Sequence, residues 1–403
     1  MLAHEVLLSL NSKLAFEPVG GTTGNLTLGR GKIAGVPAYI AIVENKIASG
    51  SLGAKESDKL ASLFKVVTAQ KAPLVMYLDS AGARVSEGLP ALGAFRHMYR
   101  AALAMAASGA PTAAYCGANC FGGASMLAAL AGTRYYAKNT RFAMSGPAIL
   151  AQSAGVSVLD EMFQAMSLSS IGADARIKLS AENLPASFGA PLPAGTLPQQ
   201  RHAELQGRLA QISKGVVATP PEKVQRKDLE KLYPSGYDLV EKDGLVSGEA
   251  VYEGAPVSVV GLVGGRLLGA VRACDAADML WKKLASPPKV LHLLVDCASH
   301  ATALDDERVM LSAYLADLAC AIYALAAAGT HIETTVLEKL GGGVYVALSA
   351  ASTNVNLLYG ADIQLLPGAA IASILGDAQD QVFDIAEYQK ARVAERELKL
   401  GIV

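Results

Sequence analysis

The chain has 403 residues, with 35 basic against 36 acidic side chains, and 18% charged against 52% hydrophobic residues. That balance excludes a disordered or linker-like chain, and a formal net charge of −1 leaves no electrostatic footprint for nucleic acid. At about 100–200 residues per domain the length predicts two or three domains; 39 glycines and only 6% aromatics predict closely packed α/β layers.

Taken in chain order, the opening Met1-Leu-Ala-His-Glu-Val lacks a basic region and carries Glu5 early, which argues against a secretory signal. Residues 31–43 predict two strands turning at Gly35-Val36-Pro37, and residues 72–79 an apolar strand ending in Asp79. A small-residue turn, Ser80-Ala-Gly-Ala-Arg-Val-Ser-Glu-Gly-Leu89, then leads into a helix. Residues 112–116 read as a buried strand, followed by Gly122-Gly123 and a helix over 125–131. No charged residue falls between Arg100 and Arg134, or between Lys339 and Asp362, and both stretches are long enough to span a bilayer. Pro111, Gly117 and Gly122-Gly123 break the first, so strand, glycine turn and buried helix are expected rather than a membrane span. Cys116, Cys120, Cys274, Cys297 and Cys320 form no C-x2-C pair; neither a metal site nor a disulfide framework is expected, and a reduced cytoplasmic compartment fits.

The same unit is written twice. The hairpin pattern returns at residues 250–262 around Gly254-Ala255-Pro256, the Asp-ended strand at 288–296, and the glycine turn at Gly341-Gly342-Gly343. Gly35 to Asp79 is 44 residues and Gly254 to Asp296 is 42; Asp79 to Gly122 is 43 and Asp296 to Gly342 is 46. Three features in one order at near-equal spacing predict a tandem duplication. Proline, glycine and charge clusters over 183–235 mark the joint, and the division is expected at 1–215 and 216–403. Residues 383–400, with Ile385, Tyr388, Val393 and Leu398, predict an amphipathic terminal helix, either solvated or docking a partner subunit.

The glycine turns carry the chemistry. A helix start presents unpaired N–H groups, and glycine lets a substrate carbonyl approach them. No Lys-Ser/Thr follows, so Gly122-Gly123 is not a P-loop, and the dinucleotide-binding spacing is absent. A second turn after Asp79 can aim another N–H at the same point, the arrangement that stabilises an enolate or a tetrahedral oxyanion. Most other polar residues have a bland reading: His97 as a base or a structural histidine, the cysteines as small buried hydrophobes, Trp281 as a core or interface anchor.

Ile47-Ala-Ser-Gly-Ser-Leu-Gly53, Asp79-Ser-Ala-Gly-Ala-Arg-Val-Ser-Glu-Gly88, Cys120-Phe-Gly-Gly-Ala-Ser125 and Phe142-Ala-Met-Ser-Gly-Pro147 resemble the carboxyltransferase subunits of acyl-CoA carboxylases and related decarboxylases. Within that group the chain is most similar to the β and γ subunits of biotin-independent malonate decarboxylase, the second half through Leu294-Val-Asp, Asp305-Asp-Glu and 311–318. The resemblance implies two crotonase-like (ββα superhelix) domains in tandem. It also implies an enolate hole from Gly122 and Gly123 with Gly82 and Ala83, and a matching hole at Gly342 and Gly343. Arg84, Ser51, Ser145, Gly146 and His300 would then be substrate-binding; Arg84 equally reads as an ion pair with Glu87. Gly341 stands where the γ subunit usually has Ser, and Cys297-Ala-Ser-His300 replaces a Gly- or Pro-rich turn.

The implied reaction is decarboxylation of a malonyl thioester through a stabilised enolate. Neither a biotinyl Met-Lys-Met nor a carrier Asp-Ser-Leu is present. The acyl group is therefore expected to arrive in trans on the phosphopantetheine arm of CoA or an acyl carrier protein, with no cofactor covalently bound. A carboxyltransferase acting with a biotinyl protein and a non-catalytic scaffold subunit are the alternatives. The apolar surplus predicts a homo- or hetero-oligomer.

Overall fold

The computed structural model describes residues 15–156, 159–186, 192, 198–212 and 220–365; the expected tail helix over 383–400 lies outside them. The chain divides into two compact units, Met1–Gln200 with Thr302–Ala316, and Arg201–Ala301 with Asp317–Val403.

The first unit is built on an eight-stranded sheet: β1 (Glu17–Pro18), β2 (Leu26–Ile33), β3 (Val36–Val43), β4 (Leu74–Ser80), β5 (Thr112–Phe121), β6 (Thr133–Tyr136), β7 (Arg141–Ala143) and β8 (Asn183–Pro185). Their order is β1-β2-β3-β4-β5-β6-β8, with β7 paired to the far end of β5. Strands β2 and β3 form a hairpin closed by Ala34 and Gly35, both at positive φ (48° and 82°), the two-residue turn whose twist matches that of the strands. From β3 onward the pairs are parallel, and every residue of β4 is buried. An apolar run without alternation is what a strand covered on both faces requires. One face packs Ile40, Ile42, Val75, Tyr77, Tyr115 and Tyr135, with the last two rings stacked at 4.5 Å. Helices α1 (Ala54–Gln70) and α2 (Leu89–Ala107) pack against each other and bury Phe64 and Phe95 completely.

The second unit repeats this plan. Its sheet runs β15-β14-β13-β12-β11-β10-β9, with β16 paired to β14; the strands are β9 (Glu222–Lys223), β10 (Tyr237–Lys242), β11 (Leu245–Tyr252), β12 (Ala255–Leu262), β13 (Val290–Cys297), β14 (His331–Gly341), β15 (Asn354–Leu357) and β16 (Asp362–Gln364). The β11–β12 hairpin again closes through two positive-φ residues, Glu253 (49°) and Gly254 (79°). Even the irregularities match. The β4–β5 register shifts between Leu78 and Ser80, and the β13–β14 register between Val295 and Cys297. Isolated parallel bridges join Leu52 to Ala83 and Leu268 to His300. The tandem α/β duplication expected from the intervals is therefore the observed architecture, with Asp79 matching Asp296 and Gly122 matching Gly342.

One exchange breaks the symmetry. Residues Thr302–Ala316 lie between β13 and β14 in sequence but belong to the first unit. They form a short helix, Leu304–Arg308, that packs on the first unit's Glu161–Ile171 helix. There Glu307, fully buried, faces the equally buried Arg176 at 3.6 Å, and the Arg176 guanidinium donates to the Glu307 carbonyl at 2.6 Å. Removing one partner of such a pair costs roughly 3–5 kcal/mol, because the other charge stays buried. A fragment ending at residue 215 lacks Glu307 altogether. We expect it to show no cooperative thermal unfolding by circular dichroism; a transition matching the first unit of the intact chain would contradict the structural role of 302–316.

Candidate active site

Three turns converge at the C-terminal ends of β4 and β5. The first precedes α1: Ala48, Ser49 and Gly50 lie in the left-handed region (φ 45°, 56° and 71°), and the Ser49 carbonyl accepts from Ala81 N–H at 2.9 Å. Two non-glycine residues in succession at positive φ store strain, which persists only where the surroundings hold it. A Cβ on Gly50 would lie 2.1 Å from the Asp79 carbonyl oxygen, so only glycine fits there.

The second turn follows β4. Asp79 is buried, and its carboxylate accepts from Ala118 N–H at 3.2 Å and Asn119 N–H at 3.1 Å. Burial raises its pKa while these two bonds oppose the shift. The carboxylate thus supplies acceptors where the register break removes them from the β4–β5 ladder. Gly82 follows at φ 92°, and its N–H donates to Ser80 Oγ at 3.1 Å. Leu52 N–H donates to the Gly82 carbonyl at 2.7 Å and Arg84 N–H to the Leu52 carbonyl at 2.9 Å, a bridge that spans Ala83 and leaves its N–H without an acceptor among the described residues.

The third turn is Gly122-Gly123, opening the helix Gly123–Ala129. Gly122 sits at φ 54°, and its N–H is taken by the carbonyls of Ala143 (3.1 Å) and Met144 (3.2 Å). The Gly123 N–H has no acceptor among the described residues. A Cβ on Gly82 would lie 2.7 Å from that nitrogen, and one on Gly123 would lie 2.4 Å from the Phe95 ring. The two backbones therefore touch, and Phe95 backs the second of them.

Arg84 pairs with Glu87 at 2.6 Å and with the buried Glu56, and donates to the Ser51 carbonyl at 2.8 Å. Glu87 also accepts from Ala54 N–H at 2.8 Å, so this cluster ties the turn after β4 to the start of α1. Ser51 is buried, and its hydroxyl has no hydrogen-bond partner among the described residues. Ser145 is buried with its N–H 3.2 Å from Glu307 Oε1, and Gly146 is the N-cap of the helix Pro147–Ser153. His97 is exposed. Trp281 is half-buried and donates to Asp317 at 3.0 Å.

In the second unit Gly342 has φ 52°, nearly that of Gly122, while Gly341 ends β14 where a Cβ would lie 2.3 Å from the Ala298 carbonyl. Gly343 follows in the helix Gly342–Ser349. The matching bridges put His300 where the first unit has Ala83, and burial pushes its imidazole down to about 4. Among the described residues no group of three His, Cys, Asp or Glu side chains is placed to hold a metal ion. No described helix is long and apolar enough to cross a membrane.

Sequence reasoning did not single out Glu307. Its Oε1 accepts from Met144 N–H at 2.8 Å and Ser145 N–H at 3.2 Å, and burial raises its carboxyl to about 7.

Residues 14–168 match the carboxyl transferase domain family. Over those residues the first unit has the α/β fold of that domain, and the second unit repeats its sheet order in tandem. The chain is 32% identical over 77 residues to the acetyl-coenzyme A carboxylase carboxyl transferase subunit beta of Opitutus terrae, covering 19% of this chain and 26% of that protein. It is 28% identical over 130 residues to the methylmalonyl-CoA carboxyltransferase 12S subunit of Propionibacterium freudenreichii subsp. shermanii, covering 32% and 25%. The chain thus spans about a quarter of the length of these curated relatives. Among solved structures, a Pseudomonas malonate decarboxylase hetero-tetramer in complex with malonate is similar at 19% identity and a TM-score of 0.45, over 52% of this chain and 91% of that one.

The raised Glu307 carboxyl has a consequence for stability. An unfolded chain releases this proton near 4.5 and the folded unit holds it to about 7, so across that window the folded state binds more protons and stability falls as pH rises. Urea midpoints of wild type and Glu307→Gln at pH 5 and pH 8 test this: wild type should lose more stability between the two. Parallel profiles would contradict the shift.

Proposed function

We propose that the first unit stabilises a thioester enolate and that the chain decarboxylates a malonyl thioester, delivered on CoA or an acyl carrier protein, to the acetyl thioester. The observation that carries this reading is the pair of N–H groups without acceptors among the described residues, on Gly123 and Ala83, at two turns in backbone contact. Of the four candidate donors in the first unit, Gly122 and Gly82 are spent on internal bonds, to the Ala143 and Met144 carbonyls and to Ser80 Oγ. In the reaction the bond between the α-carbon and the carboxylate breaks and CO2 leaves. Its electron pair forms the enolate, whose oxygen the two N–H groups hold, and a proton from solvent at the α-carbon completes the acetyl group. Because two carboxylates hold the Arg84 guanidinium, its part in this reading is to fix the turn carrying Ala83.

A second reading is favoured by one observation, the preserved backbone angle of Gly342. There the second unit uses Gly343 N–H to engage biotin on another protein, and the carboxyl group is transferred instead of lost. The neutral His300 imidazole lies beside that turn's partner strand. In either reading the similarity to acetyl-coenzyme A carboxylase and methylmalonyl-CoA carboxyltransferase subunits supports a CoA-type thioester as substrate, and the apolar composition supports an oligomer as the working form.

The test removes one N–H. Proline at 123 deletes the donor, but any Cβ there meets Phe95, so the comparison is Gly123→Pro against Gly123→Ala, both in a Phe95→Leu background. The proline variant should turn over malonyl-CoA and malonyl-carrier roughly 10²–10³ times more slowly than the alanine variant, the cost of one oxyanion donor. Equal rates in folded proteins would sink the assignment. Gly343→Val, assayed with and without biotin, separates the two readings: a decarboxylase keeps its rate, and a carboxyltransferase loses transfer to biotin.

A further inference from the structure

The Gly122-Gly123 turn is held from behind by two side chains of the exchanged segment. Glu307 Oε1 accepts both Met144 N–H (2.8 Å) and Ser145 N–H (3.2 Å), fixing the two successive peptides whose own carbonyls, Ala143 and Met144, take the Gly122 N–H. Ser125 Oγ donates to the Gly122 carbonyl at 2.7 Å and lies 2.7 Å from Ser312 Oγ. A hydroxyl has one proton, so with Ser125 committed to Gly122 it is Ser312 that donates to Ser125. Both ends of the Gly122 residue, its N–H and its C=O, are thereby tied through one intermediary each to residues 302–316. All the groups in these chains are buried except the partly exposed Gly122 itself.

We propose that Glu307 and Ser312 are positioning residues for the Gly123 N–H: they set the orientation of the Gly122–Gly123 peptide and so the direction in which the unpaired donor points. Neither touches the substrate. The inference rests on the enolate-hole reading for its effect on rate, and on geometry alone for its effect on the turn. The direction of a hydrogen-bond donor matters most when charge has developed on the oxygen, so loss of either brace lowers kcat and leaves KM nearly unchanged. Of the two, Glu307 has the larger effect, since it holds two N–H groups where Ser312 holds one hydroxyl.

Three full-length variants test this: Glu307→Ala, Glu307→Gln and Ser312→Ala. The readouts are malonyl-thioester kinetics and amide hydrogen exchange of peptides covering residues 118–130. A misplaced site loses up to roughly 10²-fold, so Glu307→Ala should lower kcat about 10–100-fold with KM within about threefold, and Ser312→Ala about 3–10-fold. Exchange should accelerate at 118–130 in both. Glu307→Gln keeps a carbonyl oxygen for the two N–H groups and should recover most of the kcat and the protection. A folded Glu307→Ala protein with wild-type kcat and unchanged exchange overturns the proposal, as does a glutamine variant no better than alanine. Should Glu307→Ala not fold, unchanged kcat and exchange in Ser312→Ala overturn it instead. If the Gly123→Pro comparison shows no loss while exchange at 118–130 responds as expected, the hole reading fails and the bracing stands; the converse result rejects the bracing alone.

Discussion

Contact between two backbones, at Gly82 and Gly123, is the constraint on which the rest of the first unit depends. A side chain at Gly82 would sit 2.7 Å from the Gly123 nitrogen, and one at Gly123 would enter the Phe95 ring. Such an approach requires adjacent parallel strands whose ends leave the ladder together. The register break beside Asp79 achieves this, and the Asp79 carboxylate takes up the Ala118 and Asn119 N–H groups near the break. Both N–H groups are partly buried and have lost their ladder partners at the break, so the buried acid here serves the structure as their acceptor. At the point of contact the Gly123 and Ala83 N–H groups have no acceptor among the described residues, and these are the two donors proposed for the oxyanion hole.

Duplication reproduced the frame more faithfully than the chemistry. Hairpin turn, Asp-ended strand, register break and bridge recur in both units with matched angles and register. The residues that would do chemistry diverge: His300 stands for Ala83, and Gly341 precedes the second glycine turn where Phe121 precedes the first. The exchanged segment adds a further asymmetry, since 302–316 lends a buried acid and a hydroxyl to the first unit. A copy that keeps the frame while one unit gathers extra bracing is what specialisation of a tandem pair would produce.

Much of this was legible in the chain because it is written in local chemistry. Uninterrupted apolar runs predict strands buried on both faces, and Gly35 and Gly254 mark two-residue turns that need positive φ. The equal intervals located Asp79 against Asp296 and Gly122 against Gly342, and the register breaks fall at those positions. Long-range partners were not legible. Gly122 and Gly123 are indistinguishable in sequence, yet the first N–H is spent on carbonyls about twenty residues on. Asp305-Asp-Glu307 enters the sequence reading only as a motif of the second half's resemblance, and nothing in the run sets Glu307 apart from its two neighbours. Asp305 is exposed and paired to Arg308 at 2.6 Å, whereas Glu307 is buried against Arg176, and only tertiary packing separates them. Arg84 likewise finds Glu87 one turn away, as the spacing allows, and also Glu56, which no local pattern announces. The assignment of 302–316 to the first unit has no counterpart in a division at residue 215.

The central claim is that an acyl thioester places its carbonyl oxygen between the Gly123 and Ala83 N–H groups. The most direct measurement is a structure of the protein with a non-decarboxylating malonyl-thioester analogue. The account predicts the thioester oxygen about 2.7–3.1 Å from both nitrogens, with the Gly122 N–H still bonded to Ala143 and Met144. An analogue whose oxygen is held by other groups, with those two N–H groups facing solvent, would contradict it.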